Sequence, residues 1–203
     1  MSWSTRAARV VVVASLAAVT VAAQGVHPQL GLGGGLMAPV GDYHATAGGQ
    51  GFNTAWHGLA LLAFKLPVLP VGLRIDATYS ANGANDRLKA DLANRLGPAS
   101  DETTKLAGAS VDVTYQTASP ARVKPYAIAG VGLYHTVISL STSDSTVDHA
   151  ATKLAWNLGG GLTYALRGVT LFFEARYVNV AAVSGFPRTT FLPFSTGIRF
   201  GGP

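Results

Sequence analysis

The sequence predicts an all-β fold: an eight-stranded antiparallel up-and-down transmembrane β-barrel, preceded by a cleavable signal peptide. Three observations predict it. Eight segments have strand character, most alternating apolar and polar residues, with turn residues between them. Their connections alternate in length: the odd ones run about eight to 24 residues and the even ones about four to six, as in a barrel with loops at one mouth and turns at the other. Hydrophobic content is 48 % and charged content 12 %, and mean hydropathy is +0.29. Beyond the N-terminal segment, however, no run of about 18 apolar residues exists that could form a spanning helix.

The N-terminal segment reads as a secretory leader. Arg6 and Arg9 form a basic start, Val10 to Val21 an apolar run too short for a comfortable span, and Val21-Ala22-Ala23 a small-residue cleavage site. This places the leader at residues 1–23 and the barrel at 24–203. Cleavage lowers the formal net charge from +5 to +3, because two arginines and no acids leave with the leader. That modest excess, without a basic run interleaved with aromatics, gives no nucleic-acid site.

The first strand, Gln29 to Pro39, is Gly-rich, with Leu30, Leu32, Leu36 and Ala38 in one phase. Val40-Gly41-Asp42 ends it, and a loop follows to Asn53. In the second, Thr54 to Leu66, Trp56, Gly58, Ala60, Leu62 and Phe64 alternate with His57, Leu59, Leu61 and Lys65, so either face could point outward. Pro67 and Pro70 bracket a tight turn. The third strand, Val71 to Ala81, opposes Val71, Leu73, Ile75, Ala77 and Tyr79 to Arg74, Asp76, Thr78 and Ser80.

A long excursion, Asn82 to Lys105, contains a short helix capped by Asn85 and stopped by Gly97-Pro98. Its Leu88, Leu92 and Leu96 recur every four residues, as for packing on a rim. The fourth strand, Leu106 to Gln116, alternates Ala107, Ala109, Val111, Val113 and Tyr115 with Ser110, Asp112 and Thr114. A turn containing Ser119-Pro120 leads to the fifth, Val123 to Ile138, which is apolar in both phases; we place Tyr126, Ile128, Gly130, Gly132 and Tyr134 outward. Ser139 to Ala151 reads as a polar loop.

The sixth and seventh strands form one hairpin, Lys153 to Val180, around Leu166-Arg167-Gly168. In its second arm Val169, Leu171, Phe173, Ala175 and Tyr177 oppose Thr170, Phe172, Glu174, Arg176 and Val178. A loop with Gly185 and Pro187 precedes the eighth strand, Thr190 to Phe200.

The apolar phases are expected to face lipid and the polar phases the lumen. Aromatic residues near strand ends form the expected interfacial girdles: Trp56, Tyr79, Tyr134, Trp156, Tyr177 and Phe191 at the long-loop mouth, and Phe64, Tyr115, Tyr126, Tyr164 and Phe200 at the other. The polar phases carry Arg74, Asp76, Asp112, Glu174, Arg176 and Arg199. Buried charges persist when paired, and eight strands enclose a lumen that side chains can fill. The expectation is an ion-paired plug without an aqueous channel, with Asp112 near Arg74 or Asp76 and Glu174 near Arg199.

These residues resemble a known family. The Gly-rich first strand leading into Pro39-Val40-Gly41-Asp42-Tyr43, the Lys124-Pro125-Tyr126 start of strand five, Trp156-Asn157-Leu158-Gly159-Gly160-Gly161, and Glu174-Ala175-Arg176-Tyr177 are similar to the small eight-stranded bacterial outer-membrane barrels of the OmpA and OmpX type. Gly197 followed by Phe200 resembles that family's assembly signal, although Gly201-Gly202-Pro203 follows the aromatic. The resemblance implies an outer-membrane location in a Gram-negative bacterium. It also implies contact with outer-membrane lipids and lipopolysaccharide, and docking to the barrel-assembly machinery through the last strand. We expect a monomer with no second domain after Phe200.

The function expected is non-enzymatic, structural or porin-like. Two alternatives stand beside it. Some barrels of this architecture modify lipid A, which needs an activated Ser and a His at a mouth; the candidates are His57, His135 and His149 with Ser139, Ser141 and Ser143. The apolar phases of strands two and five suggest instead a transporter of small hydrophobic ligands. A soluble, lipocalin-like barrel would put the Glu174 and Arg176 phase in water. Without cysteine, and with scattered histidines, no metal or cofactor is expected.

Overall fold

The computed structural model describes residues 28–44, 51–66, 69–97, 100–117, 120–183 and 187–201. The expected leader lies outside these residues, as do Pro67, Pro98, Ser119 and Gly185 of the connections.

Eight strands follow in chain order: β1 (Pro28–Val40), β2 (Ala55–Lys65), β3 (Val71–Gly83), β4 (Asp101–Gln116), β5 (Val123–Ser141), β6 (Thr146–Ala165), β7 (Val169–Val180) and β8 (Thr189–Phe200). Each pairs antiparallel with its neighbours, and β8 returns to β1 from Leu30↔Phe200 to Val40↔Thr190, so the sheet closes into a barrel. Closure removes both edges. Both ends of the barrel chain therefore lie at the short-turn mouth.

Burial alternates along the strands, and it is the apolar phase that is exposed. Leu158 is 58 % exposed and Phe173 55 %, while Asn157 is 6 % and Glu174 5 %. The same holds for Leu30, Leu32 and Leu36 on β1, Leu73 and Ile75 on β3, and Val111 and Val113 on β4. On β2, Trp56, Gly58 and Ala60 point outward, while His57, Leu59, Leu61 and Ala63 are buried.

Three elements depart from the sequence reading. β5 and β6 do not stop at a loop: they stay paired to Ser141↔Thr146, and only four residues turn between them, closed by Thr142 N–H donating to Ser145 O at 2.8 Å. β6 has 20 residues, about twice the roughly 9–11 that cross a membrane, so this ribbon stands above the wall. β3 and β4 likewise extend, pairing to Gly83↔Thr103. Third, β5 has the opposite phase to the one predicted: Tyr126, Ile128 and Tyr134 are buried, and Val131 and Leu133 face outward.

The helix α1 (Asp86–Leu96) starts where Asn85 Oδ1 accepts the Leu88 N–H at 2.9 Å and ends at Gly97, whose φ is 111°. Leu92 is buried and Leu88 packs on the barrel mouth, but Leu96 is exposed. The first two leucines thus dock the helix, and its last turn leaves the rim.

Candidate functional site

The interior is built in layers. At mid-barrel, β3 and β7 face each other across the lumen, each with two charged residues two apart on the inward phase: Arg74 and Asp76, Glu174 and Arg176. Spacing of two keeps both on one face. Arg74 Nε donates to Asp76 Oδ1 at 2.7 Å, while Nη1 and Nη2 reach across to Glu174 Oε2 and Oε1 at 2.6 and 3.3 Å. Arg176 returns the span, donating to Asp76 through Nη2, to Asp112 through Nη1 at 3.4 Å and to Glu174 through Nε at 2.6 Å. Tyr126 Oη donates to Glu174 Oε2 at 2.6 Å, Asn157 Nδ2 to Asp112 Oδ1 at 2.6 Å and Ser110 Oγ to Asp112 Oδ2 at 2.8 Å.

All six oxygens of these three carboxylates therefore accept at least one hydrogen bond. Arg74 is 0 % exposed, as is Asp112. Leaving either charge unmatched there would cost several kcal/mol. Neighbouring glycines make room: a Cβ on Gly161 would lie 2.7 Å from Tyr126 Oη, and one on Gly130 would collide with the Asp112 carboxylate.

Asp112 stands directly opposite Arg74 in the β3–β4 register, but its carboxylate turns to Arg176, Asn157 and Ser110. Glu174 and Arg199 do not pair. Glu174 lies opposite Ser195, and Arg199 lies opposite Thr170, four residues nearer the short-turn mouth, which is about 13 Å along the strand. Arg199 instead sits over the rings of Tyr126 and Phe172, at 5.3 and 5.1 Å. Beside the ionic layer, Leu59, Leu61, Ala63 and Phe172 form a buried apolar cluster.

The long-loop mouth is closed by a second apolar cluster containing Met37, Leu106, Tyr134, Val178, Val180 and Phe191. A single 3-10 turn, Gly41–Tyr43, drops Tyr43 into it, 5.1 Å from the Phe52 ring. Burial pushes the Tyr43 phenol well above its ordinary range. Tyr134 and Phe191 meet edge to face at 5.8 Å. At the rim, Lys153 donates to Pro187 O at 3.2 Å.

The sequence candidates for nucleophilic chemistry do not assemble. His135 and Ser139 lie four residues apart on β5, about 13 Å, and His149 and Ser143 are exposed on the ribbon. Ser141 Oγ lies 3.2 Å from Thr146 Oγ1. His57 does meet a serine, Ser195, with Nε2 3.0 Å from Oγ. Sequence reading missed that partner because β2 and β8 are separated by most of the chain. The pair is buried, at 8 % exposure for each residue, and no carboxylate is among its hydrogen-bond partners.

The sequence matches the family description "Outer membrane protein beta-barrel domain" over residues 10–200. The chain belongs to this outer-membrane β-barrel family. No curated protein matches it. Among solved structures it is similar to a major outer membrane protein from Thermus thermophilus, at 12 % identity and TM-score 0.66, covering 87 % of this chain and 99 % of that one. It is also similar to Neisserial surface protein A, at 18 % identity and TM-score 0.54, covering 87 % and 96 %. A third is Ail, the attachment invasion locus protein of Yersinia pestis, at 12 % identity and TM-score 0.55, covering 86 % and 98 %. Identities this low speak for the fold, and the family places the barrel in the bacterial outer membrane.

In an outer-membrane barrel the exposed wall meets acyl chains, and its aromatics can be sorted accordingly. Trp56, Tyr79, Trp156 and Tyr177 are exposed at the long-loop end, the last two 5.4 Å apart. Tyr115 and Phe200 are exposed at the other end, and Phe64 and Tyr164 are half-buried there. Trp156 and Tyr164 lie eight residues apart on β6, roughly 20 Å along the membrane normal at a tilt of about 40°. That is close to the apolar band of about 25 Å such barrels carry. Tyr126, Tyr134 and Phe191 face inward instead: the first holds Glu174 and the other two close the mouth. The phase of the two tyrosines was unreadable because β5 is apolar on both sides.

Proposed function

We propose that this outer-membrane barrel is a non-enzymatic structural protein with a sealed lumen, holding its wall in lipid and presenting the β5–β6 ribbon and α1 beyond the membrane. The observation that carries the reading is the ionic layer spanning the barrel from β3 to β7 beneath a closed apolar mouth. In this reading the ionic layer and the apolar cluster above it leave hydrated ions no continuous path. The buried Leu59 and Leu61 phase packs on Phe172, which favours core filling over ligand transport. Outside, the wall is assigned to lipid and lipopolysaccharide acyl chains, and β8, with Phe194, Ile198 and Phe200 outward, to docking on the assembly machinery. The chain works as a monomer in this scheme.

Recording in planar bilayers tests the proposal. The refolded protein gives no discrete openings at any salt concentration; regular steps that scale with salt would mean a channel. The enzymatic alternative rests on His57 and Ser195. Wild-type protein is expected to leave lipid A unchanged on incubation, and turnover lost in His57→Ala or Ser195→Ala would establish catalysis instead.

A further inference from the structure

Arg199 is 6 % exposed, yet its Nε and Nη2 have no hydrogen-bond partner in the protein. The faces of Tyr126 and Phe172 attract its charge but accept none of its N–H bonds. The other two guanidiniums of the lumen, Arg74 and Arg176, are matched to carboxylates. A buried, unmatched cation is costly unless something accepts from it.

Arg199 lines a cavity of about 110 Å³ at the short-turn mouth, together with Gln29, Lys65, Thr114, Gln116 and Tyr126. None of these is acidic. Lys65 lies within electrostatic range of both Arg199 and Lys124. The imbalance extends over this whole end of the barrel. Lys65, Arg122, Lys124, Arg167 and Arg199 belong to it, whereas every acidic residue of the chain lies in the mid-barrel cluster or toward the long-loop mouth.

We propose that this cavity is a binding site for a phosphate group. Nε and Nη2 form one edge of a guanidinium, which fits two oxygens of an oxyanion at once. Lys65 supplies the further positive charge that a phosphate rewards, and Gln29 and Thr114 supply polar groups around the remaining oxygens, while Gln116 Nε2 already donates to Thr163 Oγ1 at 2.8 Å. The volume is several times the roughly 10–15 Å³ of cavity space that one water needs, room for a single tetrahedral oxyanion. The phosphate can be free or belong to an anionic lipid, since exposed Leu66 and Leu69 border the same cavity and can lie against acyl chains. The site does not depend on whether the barrel conducts.

The test uses the refolded barrel in dodecyl maltoside, with the Arg199 Nε–H resonance followed by NMR. Inorganic phosphate is added first, then dihexanoyl phosphatidylglycerol, against chloride at matched ionic strength. A saturable shift with either phosphate probe supports the site, and the probe that acts at lower concentration identifies the source. Lys65→Gln, an exposed change that leaves the fold alone, weakens the affinity threefold or more, and Arg199→Gln, read by phosphorus line width, about tenfold or more. No saturable shift with either probe, a shift equalled by chloride, or unchanged affinity in both variants overturns the proposal.

Discussion

Arg176→Ala destabilises the barrel by about 3–5 kcal/mol, read from urea unfolding in lipid vesicles. The side chain donates to Asp76, Asp112 and Glu174 at once, so its loss strands a share of three buried carboxylates. Arg74, also tied to two of them, cannot replace it. Removing a carboxylate with it relieves part of the damage: Arg176→Ala combined with Asp76→Asn costs less than the two single changes summed, because members of one network do not add. Strict additivity in that cycle would mean the charges act separately.

The second large effect is expected on the opposite face of the wall. Val111→Arg costs about 2–4 kcal/mol, because the new charge sits in the middle of the lipid-facing band. Val111 is 50 % exposed, pairs with Ile75 and Val131 on the neighbouring strands, and lies four residues from Tyr115 at one interface and four from Ala107, the partner of Tyr79, at the other. In a water-soluble barrel the same change at so exposed a residue would stay within about 0.5 kcal/mol. The unfolding midpoint of Val111→Arg in vesicles, set beside that of wild type, separates the two cases.

How far the sequence could be read depended on contrast between faces. β3, β4, β6 and β7 each set aliphatic residues against Arg, Asp, Asn or Glu, and their inward residues are the ones the alternation assigned to the lumen. β5 offered no such contrast, since Ile128 and Tyr126 are as apolar as Val131 and Leu133. Its phase is fixed by volume: glycines at 130 and 132 face the crowded Asp112 and Ser110 side, a constraint that only the folded register reveals. The ribbon from Val137 to Ala150 escaped notice for a related reason. Above the membrane both faces meet water, so period-2 alternation has nothing to report, and the Ser/Thr-rich segment looks like a loop. Partner choice inside the lumen was the least legible. Arg74 and Glu174 are 100 residues apart and meet only because eight strands place β3 opposite β7. Asn157 and Ser110 were visible as polar residues on inward phases, but nothing local marked them as partners of Asp112.

The inside-out distribution of polarity is tested most directly by nitroxide scanning along β6 from residue 154 to 164 in lipid vesicles. Labels at Leu158, Gly160 and Leu162 should collide with dissolved oxygen and not with a water-soluble nickel chelate, while those at Ala155, Asn157 and Thr163 should meet neither. A nickel response at Asn157 and Thr163 would mean a water-filled lumen, and one at Leu158 and Leu162 would mean that this wall faces water.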